Sequence, residues 1–84
     1  MRIDKFLNAV NITKRRAISE DMCKSGVVEI NSKVAKPAKD VKVGDRITIN
    51  YLKGSVSYEV LKIPETKTIP KSKQDEYVKE VKSE

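Results

Sequence analysis

The sequence has no histidine and a single cysteine, Cys23. Zinc sites draw on His and Cys in sets of three or four, which this chain cannot supply. A Ser-His-Asp or Cys-His catalytic arrangement is excluded for the same reason. Glycine is scarce too, with Gly26, Gly44 and Gly54 the only ones. Neither a GxxxxGKS/T loop nor a GxGxxG loop for phosphate can be assembled from them. The scattered acidic residues offer no paired-carboxylate site. Cys23 reads as a half-buried helix residue rather than a nucleophile. These absences point to a binding module: not an enzyme, with no metal and no cofactor.

Other absences bound the setting. One cysteine has no internal disulfide partner, so a reducing, cytoplasmic environment is expected. No apolar run approaches the length of a membrane span, and the start carries Arg2, Asp4 and Lys5 where a leader would be apolar. No membrane partner is expected. Eighty-four residues suffice for one small domain with a limited core, expected as a monomer.

Positive charge is what the chain has in excess. The net charge is +6. Residues 1–54 hold 12 Lys/Arg against 6 Asp/Glu, whereas residues 55–84 hold 6 of each. All the excess therefore lies in the first two-thirds, which points to a polyanionic partner, nucleic acid first.

The hydrophobic period divides the chain. In residues 2–10, Ile3, Phe6, Leu7 and Val10 stand at i, i+3, i+4 and i+7, the stripe of an amphipathic helix. A second helix is expected over 14–25, with Thr13 as N-cap, Ile18 and Met22 as core pair beside Ala17, and Gly26 at the left-handed C′ position. Arg16, Glu20 and Lys24 would form its wet face. The two helices read as an antiparallel hairpin. From residue 27 the period becomes two. Asn31-Ser32 suits a type I′ turn, and Gly44-Asp45 makes another turn. Ile47, Ile49 and Tyr51, then Val56, Tyr58 and Val60, mark further strands. The fold class is α+β: an N-terminal helix pair packed on a small twisted, mostly antiparallel sheet of four or five strands. Residues 1–63 form the domain. Residues 64–84, with two prolines, many lysines and few large apolar side chains, read as a charged, flexible tail in which Tyr77 and Val81 could share a short helix.

Lys14, Arg15 and Arg16 then fall on the first turn of the second helix. Cations there oppose the helix dipole by about 0.3–1 kcal/mol each. An arriving phosphate would offset that cost, since helix starts bind anions and arginine forks match phosphate. Arg2 and Lys5 would lie one to two turns away, and Lys33 and Lys36 on the hairpin would extend the rim. Opposing acids are few. Glu20 can pair with Arg16, and Asp4 with Arg2 or Arg15, so Asp4 is expected to orient an arginine rather than touch phosphate. Such surface pairs contribute only about 0.2–0.5 kcal/mol each.

These features, in this order, resemble the S4 RNA-binding domain family. The matching stretches are MRIDKFL at 1–7, KRRA at 14–17, GVVEIN at 26–31, AKPAKDVKVGD at 35–45 and Ile47. The resemblance covers residues 1 to about 60 and implies the S4-like (alpha-L) fold. It puts Arg2, Asp4, Lys5, Arg15 and Arg16 on the RNA-facing surface. With its stand-alone length and its MRIDKFL…KRR opening, the chain looks most like the ribosome quality control members. That similarity implies association with the large ribosomal subunit, through rRNA and peptidyl-tRNA, in support of quality control of stalled nascent chains. Other readings are an S4 module for another structured RNA (tRNA or an rRNA precursor), a heat-shock-type rescue factor for stalled subunits, and a protein–protein adaptor. Two positions depart from the family pattern: Asn11 stands where arginine is common, and Ser32 where glycine is usual.

Overall fold

The computed structural model describes residues 1–81. Its first helix, α1, is only seven residues long, Ile3–Ala9. The apolar stripe is buried as its spacing requires, with Ile3, Phe6, Leu7 and Val10 fully enclosed. A helix this short has little stability of its own, so its ends need partners. At the start, the Ile3 N–H donates to the Lys39 carbonyl at 2.7 Å and the Asp4 N–H to that of Pro37 at 3.4 Å. At the end, Asn11 takes a positive φ of 64°, a conformation asparagine tolerates better than most residues. Its N–H donates to the Asn8 carbonyl and the Ile12 N–H to the Leu7 carbonyl.

The second helix, α2, spans Arg16–Lys24 and starts later than its sequence pattern predicts. Arg15 is the N-cap residue in extended backbone, and Thr13 does not cap the helix. The buried Thr13 hydroxyl instead hydrogen-bonds the buried Ser19 hydroxyl on the helix's first turn. That bond turns Ser19 and Cys23 inward. Ile18, expected in the core, is 44% exposed, Ala17 is exposed, and Met22 is half-buried. The helix ends as expected: Gly26 has φ 76°, its N–H reaches Cys23, and the Val27 N–H reaches Met22.

Among the described residues five strands follow: β1 Val28–Ile30, β2 Lys33–Val34, β3 Arg46–Tyr51, β4 Gly54–Val60 and β5 Val78–Val81. They pair antiparallel throughout in the order β2-β1-β3-β4-β5. Asn31 and Ser32 both have positive φ, 50° and 71°, as a type I′ turn requires. The Asn31 side chain donates to Asp45 and accepts from the Arg46 N–H, both at 3.0 Å, so the hairpin tip is tied to the Gly44-Asp45 turn. Val28, Ile30, Ile47, Ile49 and Val60 join the stripe of α1 in one core. This is the α+β architecture expected from the sequence: a helix pair on an antiparallel sheet.

The C-terminal segment departs from the expected flexible tail. After a 3-10 turn at Lys71–Lys73, α3 covers Gln74–Tyr77 and β5 completes the sheet edge. Val81 therefore sits on a strand rather than on Tyr77's helix. Pro64, Ile69 and Val78 are buried, and the latter two belong to the core formed by α1 and the sheet. Lys62 lies over the Tyr77 ring, 5.4 Å from its centre. The reason the pattern fails is that two buried aliphatic side chains and backbone pairing carry the docking, and backbone pairing leaves no mark on composition. Residues 82–84 of that expected tail lie outside the described residues.

Ile69→Ala is expected to lower unfolding stability by about 2–5 kcal/mol, the range for a buried aliphatic truncation. Leu52→Ala, on the exposed turn between β3 and β4, should stay within about 0.5 kcal/mol. Urea unfolding of both variants checks this; equal stabilities would contradict a docked C-terminal segment.

Candidate nucleic-acid interface

Asp4 organises the charged surface of the helix pair. Its side chain is fully buried, while those of Arg2 and Arg16 are each 49% exposed. The Arg2 Nη2 donates to Asp4 Oδ2 at 3.0 Å, and Arg16 Nε stands 3.8 Å from the same oxygen. The other oxygen accepts the Lys5 backbone N–H at 2.7 Å. A buried carboxylate needs such partners, and here its partners leave their outer faces in water. The arrangement differs from expectation in two ways. Arg16 reaches the first turn of α1, not its far end. Among the described residues its acidic partner is Asp4, while Glu20 is held by Lys24 at 2.9 Å, one turn further on. Lys24 holds the Glu20 carboxyl below its usual range, and Arg2 and Arg16 add to that effect from nearby.

The remaining cations fall into two groups. Lys14 and Arg15 are exposed on the bent connection before α2 rather than on its first turn. Only Arg16 stands on that turn, so most of the expected conflict with the helix dipole is absent. Lys5 is exposed on α1 beside Asp4. Lys33 and Lys36 line an open groove together with Lys39, Ile30, Val34 and Ala35. This groove adjoins the Arg2 region, since the Lys39 carbonyl accepts the Ile3 N–H and the Arg2 backbone pairs antiparallel with that of Asp40. Lys39 was not among the residues selected from sequence. Its position follows from a turn in which the Lys39 N–H returns to the Lys36 carbonyl at 2.9 Å, with Pro37 at the second position, where proline is favoured. The K-P-A-K spacing was the available signal.

Comparison with known proteins bears on this surface. The S4 domain family matches residues 1–47, more than half of the chain. A Helicobacter pylori (strain J99) protein named RQC P-site tRNA stabilizing factor is 47% identical over 78 residues, 93% of each chain. The chain belongs to that family, within the S4 domain proteins. A Bacillus subtilis (strain 168) member with the same name is 35% identical over 66 residues, 79% of this chain and 77% of the relative. Among solved structures, the hypothetical protein HP1423 matches with TM-score 0.85 and 44% identity over the full length of both chains. Vibrio cholerae Heat Shock Protein 15, described as trimeric, matches with TM-score 0.87 and 27% identity over 96% of this chain and 81% of its own.

Asn11, a departure from the pattern the resemblance implies, has a structural task here. It is itself the left-handed residue just beyond α1, and its side-chain amide donates to the Ile69 carbonyl at 2.7 Å.

Cys23 lies behind the charged surface and is 3% exposed. Burial, with the Asp4 charge adding to it, pushes its thiol from 9.0 up to about 11. The unfolded chain therefore releases this proton at lower pH than the folded one. The contribution to stability is complete below the unfolded pKa and is lost as pH rises through the folded one. Urea unfolding of the unaltered chain and of Cys23→Ala, from about pH 8 to about pH 10.5, tests this. The unaltered chain should lose stability relative to the variant in the upper part of that range. Parallel curves would show that the thiol titrates alike in both states.

Proposed function

We propose that this chain binds the large ribosomal subunit, at rRNA and at peptidyl-tRNA, and supports the quality control of stalled nascent chains. The observation that carries the reading is the buried Asp4 carboxylate with two half-exposed guanidinium groups around it. Arginine forks match phosphate bidentately, and holding them in place beforehand reduces the ordering cost of binding. Asp4 has both oxygens engaged inside the protein, so its role is to orient the arginines. Lys5, Lys14 and Arg15 add exposed charge beside them, and Lys33 and Lys36 extend the surface along the groove.

The names of the relatives supply the ribosomal setting. A rescue factor of the heat-shock type is the second reading, supported by the fold match to Heat Shock Protein 15 at 27% identity. The 47% identity to a P-site tRNA stabilizing factor over nearly the whole chain favours the first. In this reading the protein is a non-catalytic, monomeric factor of the cytoplasm.

Arg16→Ala should weaken co-sedimentation with large subunits that carry peptidyl-tRNA, and lower the slope of log affinity against log salt by about one. Its melting temperature should fall only modestly, because the buried Asp4 carboxylate keeps the Arg2 bond at 3.0 Å and the Lys5 N–H at 2.7 Å when Arg16, 3.8 Å away, is removed. Unchanged binding in the variant, or an unaltered chain that stays in the ribosome-free fraction of cells with stalled translation, would contradict the proposal.

A further inference from the structure

We propose that Asn11 and Gln74 are positioning residues for the Lys14-Arg15-Arg16 cluster: through them, the C-terminal segment fixes the joint that presents those cations. The assignment rests on the proposed RNA-binding role of the cluster.

The case begins with the carbonyls of the last three residues of α1 and of its C-cap residue Val10, which have no partner within the helix. Leu7 receives the N–H groups of Ile12 and Thr13, and Asn8 receives that of Asn11. The other two are satisfied from the far end of the chain. Ala9 accepts the Ile69 N–H at 2.9 Å, and Val10 accepts the Gln74 side-chain amide at 2.7 Å. Asn11 returns a bond to the Ile69 carbonyl at 2.7 Å. Ile69 is itself anchored in the core at 4% exposure.

This brace stands where the chain leaves α1 for the cluster. Residues 10–15 form neither helix nor strand. Beyond Asn11, the Thr13 carbonyl accepts from the Asn8 side chain at 3.2 Å, and the Thr13 hydroxyl meets Ser19. Only Lys14 and Arg15 then separate Thr13 from Arg16, the first residue of α2. Beside the Asn8 amide, the path of the joint thus depends on those of Asn11 and Gln74, whose bonds to backbone carbonyls tie it to the C-terminal segment. Neither amide carries charge, so neither releases counterions from RNA. Any change in salt dependence on removing them must act through the cations.

That property supplies the test. Asn11→Gly keeps a residue at ease with positive φ but removes the amide donor. Gln74→Met keeps the length of the side chain without its polar group. Affinity for large subunits carrying peptidyl-tRNA is measured against potassium chloride concentration for both variants, for Arg16→Ala and for the unaltered chain. Circular dichroism confirms folding at the assay temperature. Both amide variants should bind more weakly and with a shallower slope. Loss of one phosphate contact makes the affinity lost over a fourfold rise in salt about threefold smaller. If Arg16→Ala is shallower while the folded amide variants keep the unaltered slope, the positioning role is overturned and the binding surface stands. A lower melting temperature with an unchanged slope likewise overturns it, by showing a structural role alone. If Arg16→Ala matches the unaltered chain as well, the cluster is not the RNA surface and both readings fall.

Discussion

A seven-residue helix buried on one face depends on backbone groups far away in the sequence. The first N–H groups of α1 are satisfied by carbonyls in the 37–39 loop, and the carbonyls of its last residue, Ala9, and of its C-cap, Val10, by Ile69 and Gln74. Unpaired, these buried polar groups would each cost about 1–3 kcal/mol, a large fraction of what a chain this small can gain from its core. The loop and the C-terminal segment are thus part of what makes α1 a helix. The position of Asp4, which lies on its first turn, follows from the same ties.

Charge is arranged around that position. A carboxylate with no exposed surface holds one arginine from the residue before α1 and another from the start of α2. The two helices meet through an ion pair as well as through apolar packing, and the guanidinium groups remain half in water. In the proposed function the inner side of each arginine meets Asp4, and its outer side meets phosphate. A lysine at either place would lack the planar fork that can serve both. The groove lined by Lys33, Lys36 and Lys39 adjoins this pair because the same loop that caps α1 also forms part of the groove.

Local patterns were readable from the sequence, and tertiary ones were not. The stripe of α1, the end of α2 at Gly26 and the Asn31-Ser32 turn depend on neighbours a few residues away, and all stand as their spacing predicts. The start and rotation of α2 depend on Thr13 meeting Ser19, a contact that competes with the capping role usual for threonine. Burial of Ile18 failed as an expectation for that reason. The C-terminal segment escaped notice because its strand pairs through backbone and its helix ends after one turn. At the candidate site, the proximity of Arg2 and Asp4 was readable from two residues' separation. Asp4 meeting Arg16 was not, because it required knowing how the helices cross. Nor could the sequence show that Asn11 serves a distant carbonyl.

The most direct measurement is a structure of this chain on a large ribosomal subunit that carries peptidyl-tRNA. The outer faces of Arg2 and Arg16 should lie against RNA phosphates, with Asp4 still buried between them and making no RNA contact. A bound chain whose two arginines face solvent, or whose contacts come instead from the exposed turn between β3 and β4, would contradict the role assigned to this ion-paired surface.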